Sequence, residues 1–307
     1  MNFDYALIEA MKEWGLHINS VNLETGKYHR FRSLGTCKTK CCEYRIFEGQ
    51  LGAHFKCFRR GIDRFWFAKD REQMTREDRH AMQQERDRIT REKIIRQDKL
   101  GSKCERFFAA AERKGIIPAQ HPYVRRKGIY PHAAREIRGL VVLPIHDIDG
   151  DIQSLQFIQQ NGFKQFKTGA ATSEGMIWLG GWQPRNFAGV IRLCEGWSTG
   201  CTIYSITKSP VVCALNAWNL VKVANLFKRY YHDALIKICA DNDQWGKENV
   251  GLEQGIIASS ITGFSLHYPT FDGLDISNKP TDFNDLLALT DVGCVKKQLI
   301  LIRRVKK

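Results

Sequence analysis

Five carboxylates at three places in this chain have the spacing of a chemical site: Glu195, the pair Asp241 and Asp243, and Asp282 with Asp285. Glu195 follows the apolar run Gly189–Cys194 and is trailed by Gly196 and Gly200. Asp241 and Asp243 close a second apolar run, Ala234–Ala240, and lead through Gly246 into a helix-like stretch. Asp282 and Asp285 lie in the segment Pro280–Leu286. Carboxylates at strand ends converge on one rim of an open α/β sheet, where such folds place their ligands. Gathered there, they repel one another unless a hard cation neutralises them. Mg²⁺ takes a few carboxylates together with substrate phosphates, so the pattern points to phosphoryl-transfer chemistry on nucleotides. Two residues apart, Asp241 and Asp243 share one face of an extended strand. Glu195 could serve as ligand or as general acid/base. Gly196 and Gly200 are expected to let backbone approach phosphates ahead of a helix N-terminus.

The elements that must position these residues are legible in the same half of the chain. Strands are expected over Val190–Leu193, Pro210–Leu215, Leu235–Ala240 and Ser265–Pro269. Helices are expected over Ser198–Thr207, Trp218–Tyr231, Lys247–Ile261 and Asp282–Leu289. Such alternation implies βαβ units and a mostly parallel sheet. Upstream, Gly139–Ile145 and Ile152–Ile158 flank an Asp147–Asp151 hairpin turn, and Asn161-Gly162 turns into Phe163–Lys167, a small antiparallel subdomain. The basic stretch His121–Gly128 reads as a loop. From Ala68 to about Lys114, acids and bases alternate densely, as in one or two long charged helices acting as a spacer. Residues 1–67 begin with a helix over Asp4–Trp14 and continue as short β segments. The chain therefore divides into a β-rich module (1–67), a helical spacer (68–115), an antiparallel lead-in (116–188) and an α/β domain (189–307).

The chain of 307 residues carries a formal charge of +14, which favours a polyanionic partner such as nucleic acid. Its ten cysteines do not form a secreted disulfide pattern, and Cys194, Cys213 and Cys239 sit inside apolar runs as small buried hydrophobes do. No signal peptide is evident after Met1, and no apolar run approaches the roughly 18 residues of a membrane span. A soluble cytoplasmic protein without membrane partners is the expectation.

Order and context make the acidic set specific: strand-Glu-Gly, a strand–helix unit, then strand-Asp-x-Asp before a helix. The arrangement resembles the Toprim domain of primases, topoisomerases and some nucleases. Over most of its length the chain is similar to the primases of conjugative plasmids and temperate phages. The matching motifs include Gly26–Phe31, Glu43–Gly49, His121–Gly128, Leu140–Ile145, Gly162–Phe166, Cys194–Thr199, Ala240–Asp243, Asn249–Gly251 and Thr281–Leu286. That resemblance implies synthesis of RNA primers from NTPs on single-stranded DNA with Mg²⁺ or Mn²⁺. It makes Glu195 the proton-handling and metal-binding acid, and Asp241, Asp243 and Asp282 metal ligands. It also implies a basic wall for nucleotide or template that includes Lys164 and Lys167, beside the basic run Arg125, Arg126 and Lys127. Two departures leave the ion count open. Thr199 stands where replicative primases carry an acid, and the third motif reads Asp282-Phe283-Asn284, with Asp285 the candidate to turn inward. With the chain ending at Lys307, a helicase is expected as a separate partner.

Cys37, Cys41, His54 and Cys57 form the inventory of a Zn²⁺ site, but their spacing fits no familiar ribbon, and unliganded thiols are the stronger expectation. Aromatic and basic residues interleave around Tyr28–Arg32 and Phe55–Arg60, a pattern able to bind a single-stranded template. Two other readings compete with the primase: a metal-dependent Toprim nuclease using the same acids, and a non-catalytic single-strand-binding accessory module.

Overall fold

The computed structural model describes residues 2–35, 40–58, 60–69 and 72–301. The protein is a mixed α/β molecule whose chain falls into two compact units, Met1–Ile94 and Ile95–Lys307. Among the described residues, no helix is long and apolar enough to cross a membrane.

In the first unit, α1 (Phe3–Glu13) precedes an antiparallel meander of β1 (Tyr28–Phe31), β2 (Cys42–Ile46), β3 (Gly52–Cys57) and β4 (Ile62–Phe67). Strand alternation splits β2 and β3 between two environments. Cys42, Tyr44, Ile46, Phe55 and Cys57 pack with Leu7 and Met11 of α1. On the other face, Arg45 meets Glu85 and Glu92 of α2 (Arg76–Lys114). The charged segment is thus one helix, and it starts at Arg76 because Thr75 caps it: Thr75 Oγ1 accepts from the Asp78 amide at 3.0 Å and the Thr75 amide donates to Asp78 Oδ2 at 3.2 Å. Its buried residues form a thin stripe, Met82 and Ile89 in this unit, then Cys104, Phe108 and Ala111 in the second. That stripe is a few residues per turn-pair, enough for one-sided packing and too sparse to read as a core helix.

The second unit contains two sheets. A second antiparallel meander runs β5 (Arg135–Ile137), β6 (Leu140–His146), β7 (Ile152–Ile158) and β8 (Lys164–Phe166). Cys104 and Phe108 of α2 cover it through Val142 and Leu155. The segment expected to be a loop, His121–Gly128, holds a helix instead, α3 (Pro122–Lys127). His121 caps its N-terminus through the Tyr123 amide, Pro122 occupies the first turn, and Gly128 closes it at φ +61°.

The five-stranded sheet has the order β13-β12-β10-β11-β9, built from β9 (Ile177–Leu179), β10 (Val190–Cys194), β11 (Val211–Cys213), β12 (Leu235–Cys239) and β13 (Ser265–His267). All pairings are parallel except β9 with β11. On one face, α5 (Ala217–Tyr230) and α6 (Val250–Thr262) bury Leu220, Val223, Phe227 and Ala258. On the other, α4 (Trp197–Thr207), α7 (Phe283–Leu289) and α8 (Val292–Ile300) bury Trp197, Phe283, Leu286 and Leu299. The edge strand β9 and the last helix were not expected from the sequence. Three residues of strand after a polar loop carry no period, whereas Asp291 does cap α8.

Candidate active site

Parallel pairing sets Cys194 of β10 opposite Cys239 of β12. Glu195 and Asp241 therefore leave neighbouring strands at the same rim. The loop after β12 is fastened on both sides. Asn242 donates from its backbone to the Thr281 carbonyl at 2.7 Å and from its side chain to the Pro269 carbonyl at 3.0 Å. Asn249, the α6 cap, donates to the Asn242 side chain at 2.7 Å, and the Trp245 indole donates to the Pro280 carbonyl at 2.8 Å. These bonds bring Asp282, at the start of α7, to the same rim.

Helix α6 approaches β12 at backbone distance because its near face is glycine. A side chain at Gly255 would meet Ala240 Cβ at 2.5 Å, and one at Gly251 would lie 2.9 Å from Glu195 Oε1, Asp243 Oδ2 and the Asp241 carbonyl. The Gly251 amide instead donates to Asp243 Oδ2 at 3.1 Å. The helix thereby turns its N-terminal dipole toward the acids. Gly251 lies in the Asn249–Gly251 motif, but its role is visible only in three dimensions.

The acids are buried and under-compensated. Glu195 Oε1 and Asp241 Oδ1 are buried without a hydrogen-bond partner. Desolvation, followed by repulsion from Asp243 and Asp282, pushes Glu195 up to about 7. Burial raises Asp241 well above the usual carboxylate range, and Glu195, Asp282 and Asp243 add to it, while Lys164 pulls the other way. Asp282 is raised by burial and by Asp285, against Lys127 and its hydrogen bonds. Glu195 Oε1 and Asp241 Oδ1 are unpaired acceptors of the kind a hard divalent cation takes, whereas Asp282 Oδ1 already accepts from the Asp285 amide at 2.7 Å and Asp243 Oδ2 from Gly251. Among the described residues no three carboxylates each bring an oxygen within 4.8 Å of the others.

Other expected residues divide. The Asp285 carboxylate accepts from Lys127 Nζ at 3.2 Å and the Thr281 amide at 3.0 Å, so it holds a lysine at the rim and is not an open ligand. Burial alone would lower Lys127, but Asp282 and Asp285 outweigh it and raise the ammonium above its usual range. Asn284 is buried and donates to the Lys127 carbonyl and Thr202 Oγ1, both at 2.9 Å, tying α7 to α3 and α4. Thr199, absent from the expected set, donates to Asp282 Oδ2 at 2.8 Å. Lys164 faces the field of Asp241, whereas Lys167 acts on Cys104. Arg126 donates to the Gln160 carbonyl and lies over the Tyr123 ring, while Arg125 is exposed. Gly196 caps α4 with room around it. Gly200 does not face phosphates. A side chain there would meet Cys213 Sγ at 2.3 Å, so it lets α4 pack on the sheet.

Of the cysteine set, Cys37 lies outside the described residues. Cys41 Sγ lies 3.8 Å from Cys42 Sγ and 3.9 Å from Cys57 Sγ, a thiol cluster that includes Cys42, outside the expected set. His54 does not join it. Its ring nitrogens bond Tyr28 Oη at 2.7 Å and Asp63 Oδ1 at 2.6 Å, on the strand face opposite Cys57. Burial pushes the Cys42 thiol up, with Cys57 and Cys41 adding to the shift.

No protein-family model matches the chain. It is 23% identical over 255 residues to a DNA primase TraC of Escherichia coli, across 80% of this chain and 24% of that protein. A second Escherichia coli protein of the same name is 24% identical over 285 residues, across 86% of this chain and 19% of that protein. The chain thus spans about a quarter or less of these curated relatives. The zinc-binding and RNA polymerase domains of the Aquifex aeolicus primase overlay at a TM-score of 0.40 and 13% identity, covering 96% of this chain and 82% of that one. The primase resemblance carried by the motifs agrees with the named relatives.

Proposed function

We propose that this chain is a DNA primase that makes short RNA primers from NTPs on single-stranded DNA, through a Toprim-type acidic site. The observation that carries the reading is the rim of the parallel sheet, where Glu195 and Asp241 each bury a carboxylate oxygen with no partner. Similarity to proteins named DNA primase TraC supports the substrate class.

Glu195, Asp241, Asp243 and Asp282 would hold Mg²⁺ or Mn²⁺, which when bound neutralises phosphate charge and polarises the reacting oxygens. The rest falls to the chain's own groups. The attacking 3′-hydroxyl forms a bond to the α-phosphorus of the incoming NTP as the bond to pyrophosphate breaks. Its proton passes to the Glu195 carboxylate. Lys127, held by Asp285, and Lys164, in the field of Asp241, face the negative phosphates. Gly251 keeps this space open, since any side chain there would collide with two of the acids. Arg125 and Arg126 extend the basic surface toward the template. The β-rich module contributes to template binding.

The test is primer synthesis with labelled NTPs, a mixed-sequence single-stranded DNA and Mg²⁺ or Mn²⁺. Wild type is expected to give short oligoribonucleotides and Asp241→Asn none, a loss of at least about 100-fold. Metal-dependent shortening of the DNA without RNA product would replace this reading by a nuclease.

A further inference from the structure

The four strands of the first unit share one row at the open end of the β2–β3 hairpin, where Phe31, Cys42, Cys57 and Ile62 are successive partners. Cys42 and Cys57 thus face one side of the sheet, the side that packs on α1, and both are fully buried. Cys41 lies just ahead of β2. A strand continued through it would turn its side chain to the opposite face. Its Sγ nevertheless lies 3.8 Å from Cys42 Sγ and 3.9 Å from Cys57 Sγ, and the three sulfurs all fall within 4.8 Å of one another. The Phe58 amide donates to the Cys41 carbonyl at 3.0 Å, which holds Cys41 beside the end of β3.

Thiols gain little by meeting in this way, since S–H is a weak donor and sulfur a weak acceptor. All three cysteines are free, at non-bonded separations. The spacing answers to a metal instead. Sulfurs placed about 2.3 Å from a tetrahedral Zn²⁺ stand about 3.8 Å from one another, which is the separation found here. Two adjacent cysteines and their cross-strand partner therefore offer one face of such a tetrahedron. Cys41 is only partly buried, which leaves an ion a way in. Soft thiolate donors select Zn²⁺ over Mg²⁺ or Mn²⁺, so the cluster does not compete with the acidic rim for its ions.

We infer that Cys41, Cys42 and Cys57 together bind one Zn²⁺, whose remaining position is left to water. Each thiol gives its proton to solvent as its sulfur bonds to the ion, so one Zn²⁺ enters as three protons leave. The ion ties the start of β2 to the end of β3. It thereby fixes the exit toward Phe58, whose ring lies under Arg30 and Lys56. His54 takes no part, being held on the other face by Tyr28 and Asp63. Nothing in this site draws on the primase reading.

The experiment is titration of the reduced, metal-free full chain with Zn²⁺ against a chromophoric chelator, with calorimetry in buffers of different ionisation enthalpy to count released protons. One tightly held ion per chain and about three protons per ion are expected. With Co²⁺ as the probe, sulfur-to-metal charge-transfer absorption should appear in the near ultraviolet. Cys41→Ser and Cys42→Ala should each weaken Zn²⁺ binding at least about 100-fold, beyond what loss of a ligand's outer partner costs. Cys41→Ser, at the partly exposed position, keeps the test decisive if Cys42→Ala fails to fold. Asp241→Asn should hold the ion as tightly as wild type, which separates this site from the acidic rim. No tight binding, a release of about two protons or fewer, binding indifferent to Cys41→Ser, or binding lost in Asp241→Asn would overturn the inference.

Discussion

Both units bury charge, and they treat it in opposite ways. In the first, Arg45 lies under α2 against Glu92 at 2.8 Å and Glu85 at 3.7 Å, and the buried Glu43 takes Lys56 at 2.9 Å. His54 is bonded on both nitrogens. In the second, Glu195 and Asp241 sit among other acids with an oxygen each left over. A paired buried charge costs desolvation and recovers much of it, whereas an uncompensated one is retained against stability. The first arrangement therefore fixes a fold, and the second marks a place prepared for something of opposite charge.

The largest effect on stability should come from breaking the paired network. Arg45→Ala removes the buried guanidinium from Glu85 and Glu92, which keep only Arg88, and should destabilise the first unit by about 1.5–3 kcal/mol. Urea unfolding measures it, and a change below about 1 kcal/mol would mean that the network is solvated.

A smaller effect is expected at His267, fully buried beneath α8, where Nδ1 bonds the Leu301 carbonyl at 3.0 Å. Burial first, then the charges of Lys237 and Arg192, lower it to about 4 from an ordinary 6.5. The unfolded chain binds that proton near 6.5 and the folded chain resists it to about 4. Its contribution is thus complete above 6.5 and lost as pH falls from 6.5 through 4. After solvent screening this amounts to about 1–2 kcal/mol, and His267→Gln should flatten that part of a stability-against-pH curve.

Smaller again is Thr199→Val, which removes the hydroxyl held to Asp282 Oδ2. Mn²⁺ affinity, read by the ion's magnetic resonance signal, should fall by about tenfold with the fold unchanged, as for other residues that orient a ligand. An unchanged affinity would remove Thr199 from the site.

What the sequence disclosed about these two regions follows from the length scale of each signal. Strands β10 and β12 are apolar but for Arg192 and Lys237, so their runs and the acids that end them stand out. Strand β9, with three residues, has no pattern to read. Helix α3 was hidden by its length, although Pro122 and Gly128 mark its two ends. The ligand set around Cys57 failed at His54 because residues three apart on a strand face opposite ways, a fact available from β3 alone. Gly200 and Gly251 are the same residue type with different uses, one packed against Cys213 and one packed against the carboxylates. Only the packing of α4 and α6 separates them.

The central claim is that the acidic rim is strained by its own charge until a cation joins it. Thermal unfolding of wild type and Asp241→Asn, in EDTA and then in Mg²⁺ or Mn²⁺, tests it without reference to activity. Removing one buried charge should make Asp241→Asn the more stable protein in EDTA, by about 1–3 kcal/mol, and the cation should raise the melting temperature of wild type alone. An Asp241→Asn protein less stable in EDTA, or a wild type indifferent to both ions, would contradict the account.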